Sequence, residues 1–413
     1  MIFPDPAIRL INRLEDRGFE AWIVGGAVRD AWLKKEIHDI DIATSARPAE
    51  IEEVFSDCKT IDVGKAFGTI RVIWEAEVYE LTTFRSEEGY MDGRHPDKVT
   101  YSNKIEDDLS RRDFTINAMA YNPSKGILDL YGGRDDFEEG ILRAVGDPNE
   151  RIGEDALRML RAVRFAGRFD LKMDPELERA IKERKSRISR ISVERSMDEI
   201  NKMLTGRGAE RTFEIMAGLG LSQILLPGID RLPKDEVLNM LPKEPDFLWP
   251  ALLSNGGEEG AEPGEKAVRI LKAYKASNEL MDRAGLFVGT VFEELPTDTL
   301  GWRIWLKERS MEEARTLLEY KRAFLELESD LNKLKIMQEI LETIQKDKLA
   351  TKISDLDISG RDLIACGFKP GRLIGGILED CLDAHIHGKL ANKKQALLDY
   401  INSKWSPDSG DLI

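Results

Sequence analysis

Two aspartates one residue apart, Asp39 and Asp41, follow closely on a glycine pair, Gly25-Gly26. On a strand successive side chains alternate faces, so Asp39 and Asp41 point one way while Ile40 and Ile42 point into a core. Carboxylates this close repel each other, and the arrangement persists when a divalent cation such as Mg²⁺ sits between them. The glycines end a short apolar run, Ala21 to Val24, and open a stretch, Ala27 to Lys35, that holds no helix breaker. Strand, tight turn and helix is the economical reading. It puts Gly25 and Gly26 at a helix start, where backbone N–H groups face outward and no side chain keeps a phosphate away. Alone, either half reads as a glycine turn or as two solvated acids. Together they describe a metal pair beside a phosphate cradle.

Further candidates lie downstream. Arg111 and Arg112 are adjacent guanidiniums suited to a triphosphate, with Arg29 of the glycine turn beside them, and Asn117 is placed to reach a ribose hydroxyl or a phosphate oxygen. The competing reading is a surface ion-pair cluster with the acids just before Arg111. Glu80, on a strand whose Glu80, Thr82 and Phe84 share a face, is a candidate third catalytic carboxylate; a half-exposed strand glutamate is the alternative. Asp155 and Arg158, three apart on an expected helix, present an acceptor beside a donor. Cytosine and adenine both carry an exocyclic amino donor next to a ring-nitrogen acceptor, so the pair would take C and A and set oxygen against carboxylate for G and U. Arg161 and Arg164 extend the same run and are counted with the nucleotide-binding residues. An i,i+3 surface salt bridge is the plainer account of the pair.

The elements that must carry these residues change character along the chain. A helix is expected over roughly Pro6 to Arg17, another from Pro48 to about Phe55, and a β-hairpin joins Thr69–Trp74 to Val78–Phe84. Arg85 to Asp97 is rich in glycine and charge, without an apolar period, and reads as a mobile loop. The glycines of Asp129-Leu-Tyr-Gly132-Gly133 shape a bend, and the stretch is assigned structure and no chemistry. From about Arg151 the pattern is helical, with long amphipathic helices at about Met311–Phe324 and Leu327–Lys346. Ser254 to Gly264 reads as a boundary or a disordered loop.

With 413 residues, 42% hydrophobic and 33% charged, the chain can bury more than one core. No apolar run approaches the ~20 residues of a membrane span, and the first residues lack signal-peptide character, which implies a cytoplasmic protein with no membrane partner. Cys58, Cys366 and Cys381 are too few and too far apart for a disulfide framework or a structural zinc site. His38, with its neighbour Asp39, lacks the companion histidines of a phosphohydrolase metal centre. The net charge of -15 looks unsuited to RNA, yet Arg158 to Arg195 carries twelve Lys or Arg against six acids. Such a band fits a polyanion that must be held and then released. Nothing in the residues points to a particular oligomeric state.

Read together, Gly25-Gly26-Ala-Val-Arg29-Asp30, His38-Asp39-Ile-Asp41, Arg111-Arg112-Asp113 and Glu154-Asp155-Ala-Leu-Arg158 resemble the bacterial class II tRNA nucleotidyltransferases and poly(A) polymerases of the polymerase beta-like family. The likeness is strongest over residues 20 to 200. It implies an α/β polymerase beta-like nucleotidyltransferase head (1-150, catalytic), then an all-α neck (151-215, nucleotide selection), body (216-335) and tail (336-413, tRNA binding). The implied activity is addition of C, C and A to the tRNA 3′ end from CTP and ATP, releasing pyrophosphate. In the expected two-metal scheme Asp39 and Asp41 hold Mg²⁺, one ion activating the primer hydroxyl and the other steadying the triphosphate. The resemblance further implies that Arg85 to Asp97 is the family's flexible loop, that Ser192 to Glu199 steadies the neck helices, and that the tRNA acceptor arm is held by shape and backbone. Loss of that loop marks the CC-adding type, which the intact Arg85 to Asp97 disfavours. An enzyme adding only the terminal A, a poly(A) polymerase and a catalytically silent RNA-binding protein remain as alternatives.

Overall fold

The computed structural model describes residues 2–37, 39–89, 98–229, 234–254, 262–291, 294–325 and 328–406. His38, most of the expected mobile loop (90–97), most of the Gly/Glu-rich stretch (255–261) and the acidic end (407–413) lie outside the described residues. The chain divides into two compact units, one built on Met1–Asp235 with Ile270–Ala276, the other on Glu236–Ser254 and Ser277–Ile413.

In the first unit, helix α1 (Asp5–Glu15) leads into β1 (Ala21–Val24), α2 (Gly26–Trp32), β2 (Asp41–Thr44) and α3 (Pro48–Val54). There follow β3 (Lys59–Gly64), β4 (Thr69–Trp74), β5 (Glu77–Thr83), the ribbon β6 (Arg85–Glu88) and β7 (Lys98–Tyr101), α4 (Ile105–Ser110), β8 (Met119–Asn122) and β9 (Gly126–Asp129). Seven strands form one sheet in the order β3-β4-β5-β2-β1-β8-β9. Its named pairings are antiparallel except β2 with β5, which run parallel with Asp41 opposite Glu80.

Alternation along the strands gives the sheet two different faces. Ile23, Ile42, Ile70, Val72 and Leu81 pack against Leu10, Ile11 and Leu14 of α1 and against Val28 and Ile51 of α2 and α3. On the other face Trp22, Val24, Ala43, Phe84 and Ala120 are covered by Ile105 and Leu109 of α4. Asp41 and Glu80 belong to that second face, beyond the cover that α4 provides. Truncating a fully buried residue such as Ile42 to Ala would cost about 2–5 kcal/mol, so the strand that carries Asp41 is rigidly held.

After α5 (Gly133–Glu138) and the short β10 (Ile141–Leu142), the first unit becomes helical: α6 (Pro148–Glu154), α7 (Leu157–Phe169), α8 (Pro175–Arg184), α9 (Val193–Thr205) and α10 (Ala209–Gly218). One strand interrupts the helices, β11 (Lys172–Met173), which pairs parallel with β10. Gly133 packs so closely that an added Cβ would lie 2.1 Å from the Thr115 carbonyl oxygen. The Gly132-Gly133 pair therefore makes a close approach as well as a bend.

The second unit is helical among its described residues and includes Met311–Phe324, Glu328–Lys346 and Arg372–Ile386. Ser310 caps Met311–Phe324 in a reciprocal box with Glu313. No described helix is long and apolar enough to cross a membrane. Cys58, Cys366 and Cys381 are free thiols.

The expected loop at Arg85 to Asp97 needs a correction at its base. Arg85–Glu88 pairs antiparallel with Lys98–Tyr101. Backbone pairing holds this ribbon without an apolar alternation, and Arg85 is fixed along its own strand by Glu87 at 2.7 Å.

Candidate active site

A cavity of about 470 Å³ in the first unit is lined by Gly25, Gly26, Arg29, Asp41, Glu80, Arg111, Arg112, Asn117, Asp155, Arg158 and Arg161, along with Thr69, Thr82, Arg85, Asp113 and Phe165. It opens where β1 ends and α2 begins. Gly25 caps α2 with φ 74°, the left-handed region that favours glycine. A Cβ there would meet the Arg112 guanidinium at 2.9 Å. The missing side chain is what lets Arg112 lie over the turn.

One wall is acidic. Asp41 and Glu80 face each other across strands spaced about 4.8 Å apart. Asp39 is exposed just ahead of β2. Desolvation by the surrounding protein pushes the Asp41 carboxyl above the ordinary carboxylate range; Arg112 pulls it back, while the like charges of Glu80 and Asp39 add to the rise. Glu80 also meets Arg71 of β4 at 3.2 Å. Among the described residues no three His, Cys, Asp or Glu side chains are already gathered as a ready metal-ligand set. Mg²⁺ sites in nucleotide enzymes commonly use one or two carboxylates plus substrate phosphates. Hard oxygen donors that repel one another fit such an ion.

The opposite wall is cationic, and buried acids set its geometry. Asp108, fully buried, accepts from Arg111 at 2.6 Å and from Arg112 at 2.9 Å. Burial would raise the Asp108 carboxyl, but the two guanidiniums outweigh it and hold it below the usual range. Asp113 behaves alike: burial raises it, and Arg161, 2.6 Å away, with Arg158 and Asn117, brings it down further than burial lifts it. The Arg112 Nε is buried without a hydrogen-bond partner, a donor left over in the wall of the cavity.

The expected base-reading pair occupies the neck side of the cavity, with one correction. Asp155 is not on a helix: α6 ends at Glu154, Asp155 is extended (φ -142°), and α7 begins at Leu157. The kink follows from the carboxylate itself, which accepts the Leu157 N–H at 3.0 Å, and Arg195 of α9 holds it at 2.6 Å. Arg158 is steadied by Glu154 and donates to the Arg111 carbonyl at 3.1 Å. Both side chains still line the same cavity.

Asp39 and Arg164 are not among the residues that line the cavity, and Asn117, which is, faces protein groups. Asn117 is buried, its amide nitrogen donating to Asp113 at 3.2 Å and its oxygen accepting from Arg29, so it bridges protein groups instead of reaching out to a ribose. Arg164 does not line the cavity. It is buried against Glu199 at 2.7 Å and lies over the Phe165 ring. Arg29 is also buried, with desolvation lowering its pKa against the pull of Asp30; it stacks over Phe169 at 4.5 Å.

Residues 21–143 match the family described as "Poly A polymerase head domain". Residues 170–232 match "Probable RNA and SrmB- binding site of polymerase A", and 261–401 match tRNA nucleotidyltransferase domain 2. The CCA-adding enzyme of Bacillus subtilis strain 168 is 36% identical over 408 residues, spanning 96% of this chain and 97% of its own. The chain belongs to the family of CCA-adding enzymes. Its members are nucleotidyltransferases, and the one from Bacillus licheniformis is 38% identical over 408 residues, 96% of this chain and 97% of its own. The crystal structure of the Bacillus stearothermophilus CCA-adding enzyme in complex with CTP aligns with a TM-score of 0.78 at 29% identity, covering 98% of both chains. The Thermotoga maritima CCA-adding enzyme complexed with tRNA shares the fold (TM-score 0.64, 22% identity, 97% and 96% covered).

In this CCA-adding family member the orienting acids are what sequence reasoning missed. Asp108 carried a local signal, standing three and four residues before Arg111 and Arg112, and Glu154 stands four before Arg158. Asp113 with Arg161 and Glu199 with Arg164, 48 and 35 residues apart, carried none.

Proposed function

We propose that this chain adds C, C and A in turn to the 3′ end of tRNA, from CTP and ATP and without a nucleic-acid template. The observation that carries the reading is the meeting of three groups in one cavity: the Asp41–Glu80 edge, the Arg111–Arg112 wall and the Asp155–Arg158 pair. In the reaction the tRNA 3′-hydroxyl oxygen bonds to the α-phosphorus as the bond to the β-phosphate oxygen breaks, and pyrophosphate leaves. Gly25 and Gly26 let the triphosphate approach the backbone, and Arg111 and Arg112 neutralise it from fixed positions. Asp155 accepts from the amino group of C or A while Arg158 donates to the ring nitrogen; U and G would leave both groups mismatched in a desolvated site.

Asp39 and Asp41, with Glu80 beside them, would hold Mg²⁺, which when bound supplies Lewis acidity for the hydroxyl and charge for the leaving phosphates. Arg161 shapes the floor under the nucleotide through Asp113. The neck (151–215) and tail (336–413) hold the acceptor arm by shape and backbone contacts, since an enzyme serving all tRNAs cannot depend on sequence. Such a protein works in the cytoplasm.

The test is extension of three tRNA transcripts, ending before CCA, after C and after CC, with each nucleotide alone and with CTP plus ATP. Completion of CCA on the shortest transcript, with UTP and GTP unused, is the expected result. Addition of A to the CC-ended transcript alone would replace this reading with A-only addition, and no extension of any transcript would overturn it.

A further inference from the structure

The basic band between Arg158 and Arg195 does not form one surface. Arg158, Arg161, Arg164 and Arg195 turn to the cavity or its supports, and Arg179 and Lys182 pair with Glu176 and Glu178 on their own helix. Arg168 goes elsewhere. Its guanidinium lies 5.1 Å from the centre of the Phe169 ring, and the Lys35 ammonium, just past α2, lies 4.8 Å from the same ring. Arg207, from the turn between α9 and α10, is near enough for its charge to weigh on Lys35.

Packing forces this gathering. Gly167 of α7 meets α10 so tightly that an added Cβ would sit 1.9 Å from the Thr212 hydroxyl, and a Cβ on Gly208 would sit 2.6 Å from the Gly167 carbonyl oxygen. The α9–α10 turn is thereby fixed against the residue before Arg168. Lys35, Arg168 and Arg207 are all exposed, and none has an ion-pair partner among the described residues. Asp30, the acid whose charge favours Lys35, is already paired with Arg29, and Asp170 with Arg211. Desolvation and then the like charges of Arg168, Arg29 and Arg207 push the Lys35 ammonium below its ordinary range. In a chain of net charge -15, two uncompensated cations on one aromatic face, with a third on the adjoining turn, are a local excess that a polyanion relieves.

We infer that Lys35, Arg168 and Arg207 form a clamp for the phosphodiester backbone of the RNA primer, separate from the triphosphate wall of Arg111 and Arg112. The inference rests on the proposed action on tRNA. Arg29 joins the two places: it lines the cavity and stacks on the same Phe169 ring as Lys35 and Arg168. Arg207 also falls within the stretch matched by the RNA-binding description. A backbone held here stands next to the nucleotide cavity and is read by charge alone, as a substrate of variable sequence requires.

The experiment uses the full chain with Lys35→Gln, Arg168→Gln and Arg207→Gln, singly and together, plus Lys35→Arg. Affinity for a tRNA transcript lacking CCA is measured across salt concentrations, beside KM for tRNA and for CTP and the melting temperature. The triple variant is expected to lose at least tenfold in tRNA affinity. Its log–log salt slope should fall by about 2–3, near 0.7–0.9 for each lost phosphate contact. KM for CTP and the melting temperature should hold, and Lys35→Arg should keep wild-type affinity. An unchanged slope and affinity in the triple variant would overturn the clamp. A raised KM for CTP with intact tRNA affinity would overturn it too, by assigning the cluster to the triphosphate. Because binding is read without turnover, an enzyme that bound tRNA through these residues yet never extended it would sink the proposed reaction and leave the clamp standing.

Discussion

The two walls of the cavity handle charge in opposite ways. On the β2–β5 edge, Asp41 lies opposite Glu80 with the charge of Asp39 adding to the repulsion, and among the described residues Arg112 and Arg71 offer relief. On the other wall buried acids hold the guanidiniums in place: Asp108 takes both Arg111 and Arg112, and Asp113 takes Arg161. A finished ion pair keeps its shape without help, whereas an edge of repelling carboxylates is completed by something from outside. The difference separates what the fold builds in advance from what it leaves for a cation and a nucleotide to supply.

Breaking each wall should therefore give opposite signatures. Asp41→Asn removes a repelled charge, so nucleotidyl transfer should fall by about 10³-fold or more, several kcal/mol of lost charge stabilisation. The melting temperature should stay level or rise. Single-turnover extension and a thermal melt on one preparation check both. Asp113→Ala should do the reverse: it strands Arg161 and costs about 3–5 kcal/mol of stability by chemical denaturation, as breaking a buried pair does.

Asp155→Asn acts between these extremes. An amide can donate as well as accept, so rejection of UTP and GTP should relax by about 1–3 kcal/mol, roughly five- to 150-fold in competition for incorporation. The pH dependence distinguishes the walls again. Asp108 and Asp113 have carboxyls held below their unfolded value of about 3.9. Their contribution is complete above about pH 4 and drains away as pH falls through the folded-state values. Unfolding free energy should thus drop more steeply below pH 4 in the wild type than in Asp108→Asn. Arg9→Ala, which removes an exposed pair with Glu75, should leave melting temperature and activity where they were.

Much of the head was legible because its signals are local. The β4–β5 hairpin and the α1 and Met311–Phe324 helices follow from alternation, amphipathic spacing and capping, and lie within a residue or two of where periodicity puts them. The meeting of Asp41 with Glu80 was less so, since parallel pairing of β2 with β5 is decided by the whole sheet. What stayed hidden depends mostly on distant partners. Asp155 leaves the helix because Leu157 and Arg195 take its carboxylate, and Asn117 is drawn inward by Arg29 and Asp113. Arg164 follows Glu199 away from the cavity. For Asp155 helical spacing was a sound local argument, overridden by its own turn and by the long-range pair with Arg195.

The most direct measurement is CTP binding, without primer, to the wild type and to Asp41→Asn, each with and without Mg²⁺. If the cationic wall is built in advance and the acidic edge awaits a cation, both proteins bind CTP weakly without metal. Mg²⁺ should then tighten binding at least tenfold in the wild type and little in the variant. Equal response to Mg²⁺ in the two proteins would contradict the assignment of Asp41 and the division of labour between the walls.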